Sequence, residues 1–281
     1  MFTKRNRKEA EVSTSASTPT RLSKREDHAG IGGSAEQGMA ADRAFLCVGA
    51  ISMVLGLLLS IGVGFFHGGT PPEDLRAVLP QVAANDYWVG VHLAQFVGDV
   101  LMLFGFVALY RSITQGASAG ASGALARMGI VGAVVAEGVY AVNQAVDGIA
   151  NKFVAQEWVS AAPAEKADAF RLANAVRHIE IGTSSLWLLS GGITLLLFGL
   201  AIALGSAYPR FLGWIAITVG AGQVVGALNL AYNGFPGPTS EGPLTLVFMA
   251  TSLISLLLTP LIAFYLWRKA GGSGWHDRPQ P

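Results

Sequence analysis

The stretch that decides the fold is residues 88–110, WVGVHLAQFVGDVLMLFGFVALY, which is mainly apolar but carries His92, Gln95 and Asp99. A helix needs roughly 20 mainly apolar residues to cross about 30 Å of hydrocarbon. His92, Gln95 and Asp99 fall on nearly one helical face, because seven residues make about two turns. The stretch therefore predicts a membrane helix with one polar face.

The composition of the whole chain indicates the same class. Hydrophobic residues make up 52% of the chain and charged residues 13%, whereas about a quarter of an average soluble domain is charged. The formal net charge of +1, without a P-loop, a dinucleotide fingerprint or a zinc knuckle, argues against nucleic acid as the main partner. The single cysteine, Cys47, lies in an apolar run and excludes an intramolecular disulfide. We therefore expect the lipid bilayer to be the main partner.

Six apolar segments follow residue 43, and we predict one transmembrane helix for each. Their predicted bounds are 44–66, 89–110, 125–149, 179–204, 212–232 and 244–267. The predicted fold is all-α, a polytopic membrane helix bundle over residues 43–269, with a short tail over 270–281. Residues 1–42 hold few bulky apolar side chains, so we expect a disordered polar tail there, with Met39 as an alternative start.

The connections between the predicted spans suggest an orientation. Residues 163–178, PAEKADAFRLANAVRH, predict a short amphipathic helix outside the bilayer between the third and fourth spans. Basic residues collect in the N-terminal tail and at one end of the bundle, at Arg111, Arg127, Arg210, Arg268 and Lys269. The positive-inside rule then predicts that both termini are cytoplasmic. Trp88 is among the aromatic residues expected at the outer membrane interface.

The third predicted span carries a second polar face. Glu137, Tyr140, Gln144 and Asp147 follow one another at steps of three, four and three residues, which keeps them on one side of a helix. By helical rise, Glu137 and Asp99 both fall near the middle of the bilayer. Two carboxylates at one depth in a low-dielectric interior repel each other. We therefore expect that they are not both ionised if they share a cavity.

The fourth and fifth spans extend the polar groups from the midplane outward, which predicts an outward-facing polar cavity. The binding or proton-linked candidates are Asp99, Glu137, His92, Gln95, Tyr140, Gln144 and Gln223, and the outer-rim candidates are Asp147, His178, Glu180 and Asn229. The amide side chains are also typical of hydrogen bonds between membrane helices. Asp147, Lys152, His178 and Glu180 are also typical of solvation or simple ion pairing near the interface.

Several functions fit this set of residues. The first prediction is binding of a small solute, a proton or an ion in the polar cavity, for which the sequence requires no cofactor. His92 and His178 with a carboxylate of Glu180, Asp147 or Asp99 would suit zinc or iron, and zinc would serve a metal-dependent membrane hydrolase, although no HExxH-type spacing supports it. His92 and His178 would alternatively hold a single haem b in a redox protein. A structural subunit of a membrane complex, or a homo-oligomer, is a further alternative.

Three motifs in the second half of the chain resemble a group of uncharacterised multi-span membrane proteins of bacteria, mainly actinobacteria. The motifs are a D-G-x-A-x-K run, an R-x-x-E pattern and a Y-P-R-x-L-G-W junction. In this sequence they are Asp147, Gly148, Ala150, Lys152, Arg177, Glu180, Tyr208, Pro209, Arg210, Leu212, Gly213 and Trp214. The resemblance implies a multi-pass protein of the bacterial cytoplasmic membrane and carries no established activity.

Overall fold

The computed structural model describes residues 27–67, 74–115, 120–235 and 243–271, and all the regular structure within them is helical. The elements are α1 (Asp27–Gly64), α2 (Leu75–Ala84), α3 (Trp88–Thr114), α4 (Ala121–Gln144), a π-helical segment (Ala145–Ala150), α5 (Asn151–Ser160), α6 (Lys166–Leu204), α7 (Arg210–Asn233) and α8 (Pro243–Ala270). Six segments are long and apolar enough to cross a membrane: Gln37–Gly64, Trp88–Thr114, Ala121–Ser160, Lys166–Leu204, Arg210–Asn233 and Met249–Ala270. The predicted all-α bundle of six membrane helices is confirmed.

The connector between the third and fourth spans differs from the prediction. The third membrane helix continues through the π-helical segment and α5 to Ser160, and α6 begins at Lys166. The amphipathic helix predicted separately over 163–178 is therefore mostly the first part of the fourth membrane helix. The physical reason is that residues 166–204 contain no proline, and adding residues to an existing helix costs far less than nucleating a new one.

The N-terminal helix also begins earlier than predicted, at Asp27 rather than after residue 42. Alanines at 40 and 41 favour such an extension, because alanine has the highest helix propensity. Residues 1–26 and 272–281 lie outside the described residues, and so do most of the two predicted tails. The described residues up to Ala41 and those from Asp42 onward form separate units, and the contacts described below all lie within the second.

α6 and α7 approach most closely at two pairs of glycines. A Cβ atom on Gly192 would lie 2.8 Å from the carbonyl oxygen of Gly220, and one on Gly220 would lie 2.7 Å from that of Gly192. Gly199 and Gly213 face each other in the same way, at 2.9 and 2.6 Å. The two glycines of each helix are about two turns apart and share one face. In lipid there is no hydrophobic driving force for helices to associate. Small residues stabilise the contact because they allow the backbones to pack closely.

One end of the bundle carries a cap formed by α2, α5 and the first turns of α6, which pack around Leu79, Val82, Ala155 and Ala173. This end is called the cap end. Lys152 is buried there, and its Nζ donates hydrogen bonds to the carbonyl oxygens of Val82, Ala83 and Asn85, at 3.0, 2.9 and 2.8 Å. The end of a helix leaves carbonyl groups without helical partners, and a cation there also meets the helix dipole favourably. Lys152 thus fastens α2 to α5, rather than being solvated or ion-paired as the sequence suggested.

The glycine contacts give a matched pair of variants. Gly220→Ala would force α6 and α7 apart, and we expect it to lower the free energy of unfolding by about 1–3 kcal/mol. A Cβ atom on Gly138 would meet nothing within 4 Å, so Gly138→Ala should be neutral or stabilising by up to about 1 kcal/mol. Unfolding by SDS titration in mixed micelles measures both. Equal effects of the two variants would contradict the proposed packing.

The Lys152 contacts predict a local effect on α2. Lys152→Met keeps the length of the side chain but leaves carbonyl groups at the end of α2 unpaired, which costs about 1–3 kcal/mol. We expect faster hydrogen exchange of the α2 amides in this variant. Arg171→Met is the control, because Arg171 is exposed and its pairing with Asp168 contributes little at a surface. Unchanged exchange in Lys152→Met would contradict the role given to this lysine.

Candidate functional site

A cavity of about 570 Å³ lies beneath α2, among α3, α4, α6, α7 and α8, and is called the cap cavity. Amide, hydroxyl and charged groups from all of these helices reach it. Its polar lining consists of His67, Gln81, Gln95, Tyr140, Asn143, Gln144, Asp147, Arg177, Glu180, Ser184, Gln223, Asn229, Ser252 and Ser255. The lining therefore includes seven of the residues selected from the sequence, which are Gln95, Tyr140, Gln144, Asp147, Glu180, Gln223 and Asn229.

A second cavity of about 320 Å³, called the inner cavity, is lined by Asp99 and Glu137 and otherwise mainly by apolar side chains. Trp187 and Gln223 line both cavities, so the two spaces are neighbours. Oε1 of Glu137 is buried and has no hydrogen-bond partner among the described residues. The two carboxylates thus share one cavity, which is the condition under which we expect that they are not both ionised.

A chain of polar contacts joins the π-helical segment to α6 at the cap end. Arg177 Nη1 donates to both carboxylate oxygens of Glu180, at 2.8 and 2.7 Å. Asn151 Nδ2 donates to Glu180 Oε2 at 2.6 Å and to Asp147 Oδ1 at 3.3 Å. The Arg177 guanidinium also lies over the ring of Phe235, 4.3 Å from its centroid. The charges of Arg177 and Glu180 at the wall of the cap cavity therefore balance each other.

His92 lies behind this network and is almost completely buried, with 1% of its surface exposed. Its Nδ1 is 2.7 Å from the carbonyl oxygen of Trp88, and because a carbonyl only accepts, Nδ1 carries the proton. Its Nε2 lies 3.1 Å from Asp147 Oδ2. Trp88 Nε1 donates to the backbone carbonyl of Asp147 at 2.9 Å. Trp88 is thus buried in this cluster.

His67, which the sequence analysis did not select, completes the cluster. Its ring centroid lies 5.1 Å from that of His92 and 4.6 Å from that of Trp88. Burial lowers the pKa of His67 although the nearby carboxylate of Asp147 opposes the shift, so its imidazole is neutral at neutral pH. The only sequence signal for His67 was its place just after the first span, at the same end of the bundle as His92.

The pairing of His92 with His178, considered for haem or for a metal with Glu180, is not formed. His178 is exposed on α6 and lines neither cavity. The hypothesis of a haem or a metal held by this pair is therefore wrong. The histidine beside His92 is His67. Gly148 allows His92 to pack against it, because a Cβ atom at this position would lie 2.8 Å from Cγ of His92 and collide with the ring.

No protein-family model, curated protein or solved structure matches the chain.

The inner cavity predicts a measurable coupling between its two carboxylates. Asp99→Asn and Glu137→Gln each remove the same repulsion, so at alkaline pH each should raise the free energy of unfolding. We expect the double variant to gain less than the sum of the two single gains, by about 0.5–3 kcal/mol. SDS titration of the four proteins measures this difference. The control is the double variant of Asp86→Asn and Glu137→Gln, whose effects should add because Asp86 is an exposed carboxylate. Additive effects of Asp99→Asn and Glu137→Gln would contradict the interaction between the two buried carboxylates.

Proposed function

We propose that this protein is a multi-pass protein of the bacterial cytoplasmic membrane that binds a small polar solute, uncharged or zwitterionic, in the cap cavity. The observation that carries the proposal is a cavity of about 570 Å³ inside a membrane bundle, lined by amides and hydroxyls. Ligand sites in proteins commonly enclose roughly 300–1,000 Å³ and place a few polar groups around the ligand. The size and the lining of the cap cavity both fit that class.

The chemistry of the lining favours a solute without net charge. Gln95, Asn143 and Asn229 bring amide groups from three different helices, and each amide both donates and accepts hydrogen bonds. Oε1 of Gln144 is buried and has no hydrogen-bond partner among the described residues, so it is an acceptor available to a ligand. Because Arg177 is already paired with Glu180, these two residues offer no unbalanced charge to an ionic solute.

Aromatic groups and the neighbouring carboxylates support a further part of the proposal. The Trp187 ring stacks on Tyr140 at 4.5 Å between centroids and offers a flat face on which a solute can pack. Trp187 also contacts the carboxylate of Asp99. We propose that the Asp99 and Glu137 pair takes up a proton or a cation together with the solute, because buried carboxylates in membrane helices commonly serve this role.

The orientation belongs to the same proposal. Arg111, Arg127, Arg210, Arg268 and Lys269 lie at the end of the bundle opposite the cap. The positive-inside rule favours this end in the cytoplasm, which would leave the cap cavity open to the outside and both termini in the cytoplasm. The resemblance to multi-span bacterial proteins supports the same location. The many exposed apolar side chains on the bundle suit contact with lipid.

Single-cysteine labelling tests the water-accessible cavity and the orientation together. In a Cys47→Ala background, Ser184→Cys lies in the cap cavity, whereas Leu186→Cys replaces an outward-facing side chain that is 57% exposed. We expect a membrane-impermeant thiosulfonate reagent added to intact cells to modify Ser184→Cys and not Leu186→Cys. Modification of Ser184→Cys only after permeabilisation would overturn the orientation, and no modification in either case would overturn the open cavity.

A thermal-stability screen tests solute binding. The detergent-purified protein is heated with amino acids, polyols, sugars and nucleosides, since a ligand at about 100 times its Kd stabilises the folded state by about 2.7 kcal/mol. We expect at least one solute to raise the Tm of the unmodified protein but not of Gln95→Leu. The control is Gln156→Leu, at an exposed position of α5. An equal shift in both variants, or no shift in the whole panel, would contradict the proposal.

A further inference from the structure

Three residues at the cap end offer metal-binding atoms to one point. One such atom from each of His67, His92 and Asp147 lies within 4.8 Å of the other two. A zinc ion with ligand bonds of about 2.0–2.1 Å holds its ligand atoms about 3.3 Å apart, so modest side-chain rotations would close the set. We propose that His67, His92 and Asp147 bind a divalent transition metal, with Zn²⁺ as the best fit.

The hydrogen bonding of His92 is the second observation that points to a cation. Since Nδ1 donates its proton to the carbonyl of Trp88, Nε2 of the neutral ring presents a lone pair. Nε2 faces Asp147 Oδ2 at 3.1 Å but makes no hydrogen bond of acceptable geometry, in a side chain that is 1% exposed. With the ring neutral, two acceptor atoms face each other at this separation. A metal ion between them would bind to both.

Neighbouring groups hydrogen-bond to His92 and Asp147 in the way that commonly orients metal ligands. Ligating histidines usually donate their other ring N–H to a carbonyl or carboxylate, and ligating carboxylates are themselves hydrogen-bonded. His92 makes such a bond to Trp88, and Asn151 donates to Asp147 Oδ1 while Oδ2 faces His92.

The fourth coordination position of the metal would be open to the cap cavity. His67 and Asp147 line the cap cavity, so a water molecule or an oxygen or nitrogen atom of a bound solute completes the tetrahedron. Two histidines and one carboxylate with an open position form a donor set characteristic of zinc. This site goes beyond the proposed solute binding and does not rest on it. The Asp99 and Glu137 pair lines a different cavity.

Cobalt substitution tests the site in the full chain. The protein is purified in detergent with an affinity tag that contains no histidine, stripped with a chelator and titrated with Co²⁺, whose visible absorption reports tetrahedral coordination. We expect one equivalent to bind, to be displaced by Zn²⁺, and to be lost in His67→Ala. Asn151→Ala should weaken Co²⁺ binding about 10–100-fold, as loss of a supporting hydrogen bond does elsewhere. His178→Ala, which changes an exposed histidine, is the control and should bind normally.

Several outcomes would overturn the metal site. They are no stoichiometric Co²⁺ binding in the unmodified protein, unchanged binding in His67→Ala, and equal loss in His178→Ala. His67 lies beyond the end of α1, so its replacement should leave the bundle folded, and gel filtration of each variant checks this. The solute screen is repeated on the stripped protein. A solute shift without Co²⁺ binding would refute the metal site alone, and Co²⁺ binding without a solute shift would refute solute binding alone.

Discussion

The backbone contact between α6 and α7 at the two glycine pairs is the constraint on which the rest of the bundle depends. Membrane helices gain little by hiding apolar surface from lipid, so close packing decides where α6 lies. On another face, α6 carries Glu180, Ser184 and Trp187 to the cavities, and Ser184 donates to Asn143 of α4 at 2.9 Å. The position of α6 therefore sets the size of both cavities and the alignment of their polar walls.

The charges at the cap end are hard to explain as a source of stability. Burying an ion pair costs hydration free energy that the attraction between the charges only partly offsets. Apolar residues of similar volume often stabilise the fold equally well. Arg177, its partner Glu180 and the carboxylate of Asp147 nevertheless lie together at the wall of one cavity. A role in binding accounts for this concentration better than a role in folding.

Length and periodicity were sufficient to predict the six helices and the shared depth of Asp99 and Glu137, because both follow from the fixed rise and turn of a helix. His178 was paired with His92 because the two were expected at a similar depth, but depth does not say which face of its helix a residue occupies. One residue turns a helix by about 100°, so Arg177 and Glu180 are buried while His178 is exposed. His67 lies beyond the end of α1, where helical periodicity does not predict the direction of a side chain. The contacts of Lys152 were missed because they involve α2, a helix that was not predicted from the sequence.

The π-helical segment over Ala145–Ala150 amounts to one extra residue in the third membrane helix. Without it, every later position of that helix would turn by about 100° and shift by about 1.5 Å. Asn151 would then leave Glu180, and Lys152 would leave the carbonyl groups of α2. Insertions and deletions of a single residue should therefore be rare in homologous chains between Asp147 and Lys152, yet common in the short turn over 161–165, where no such register is kept.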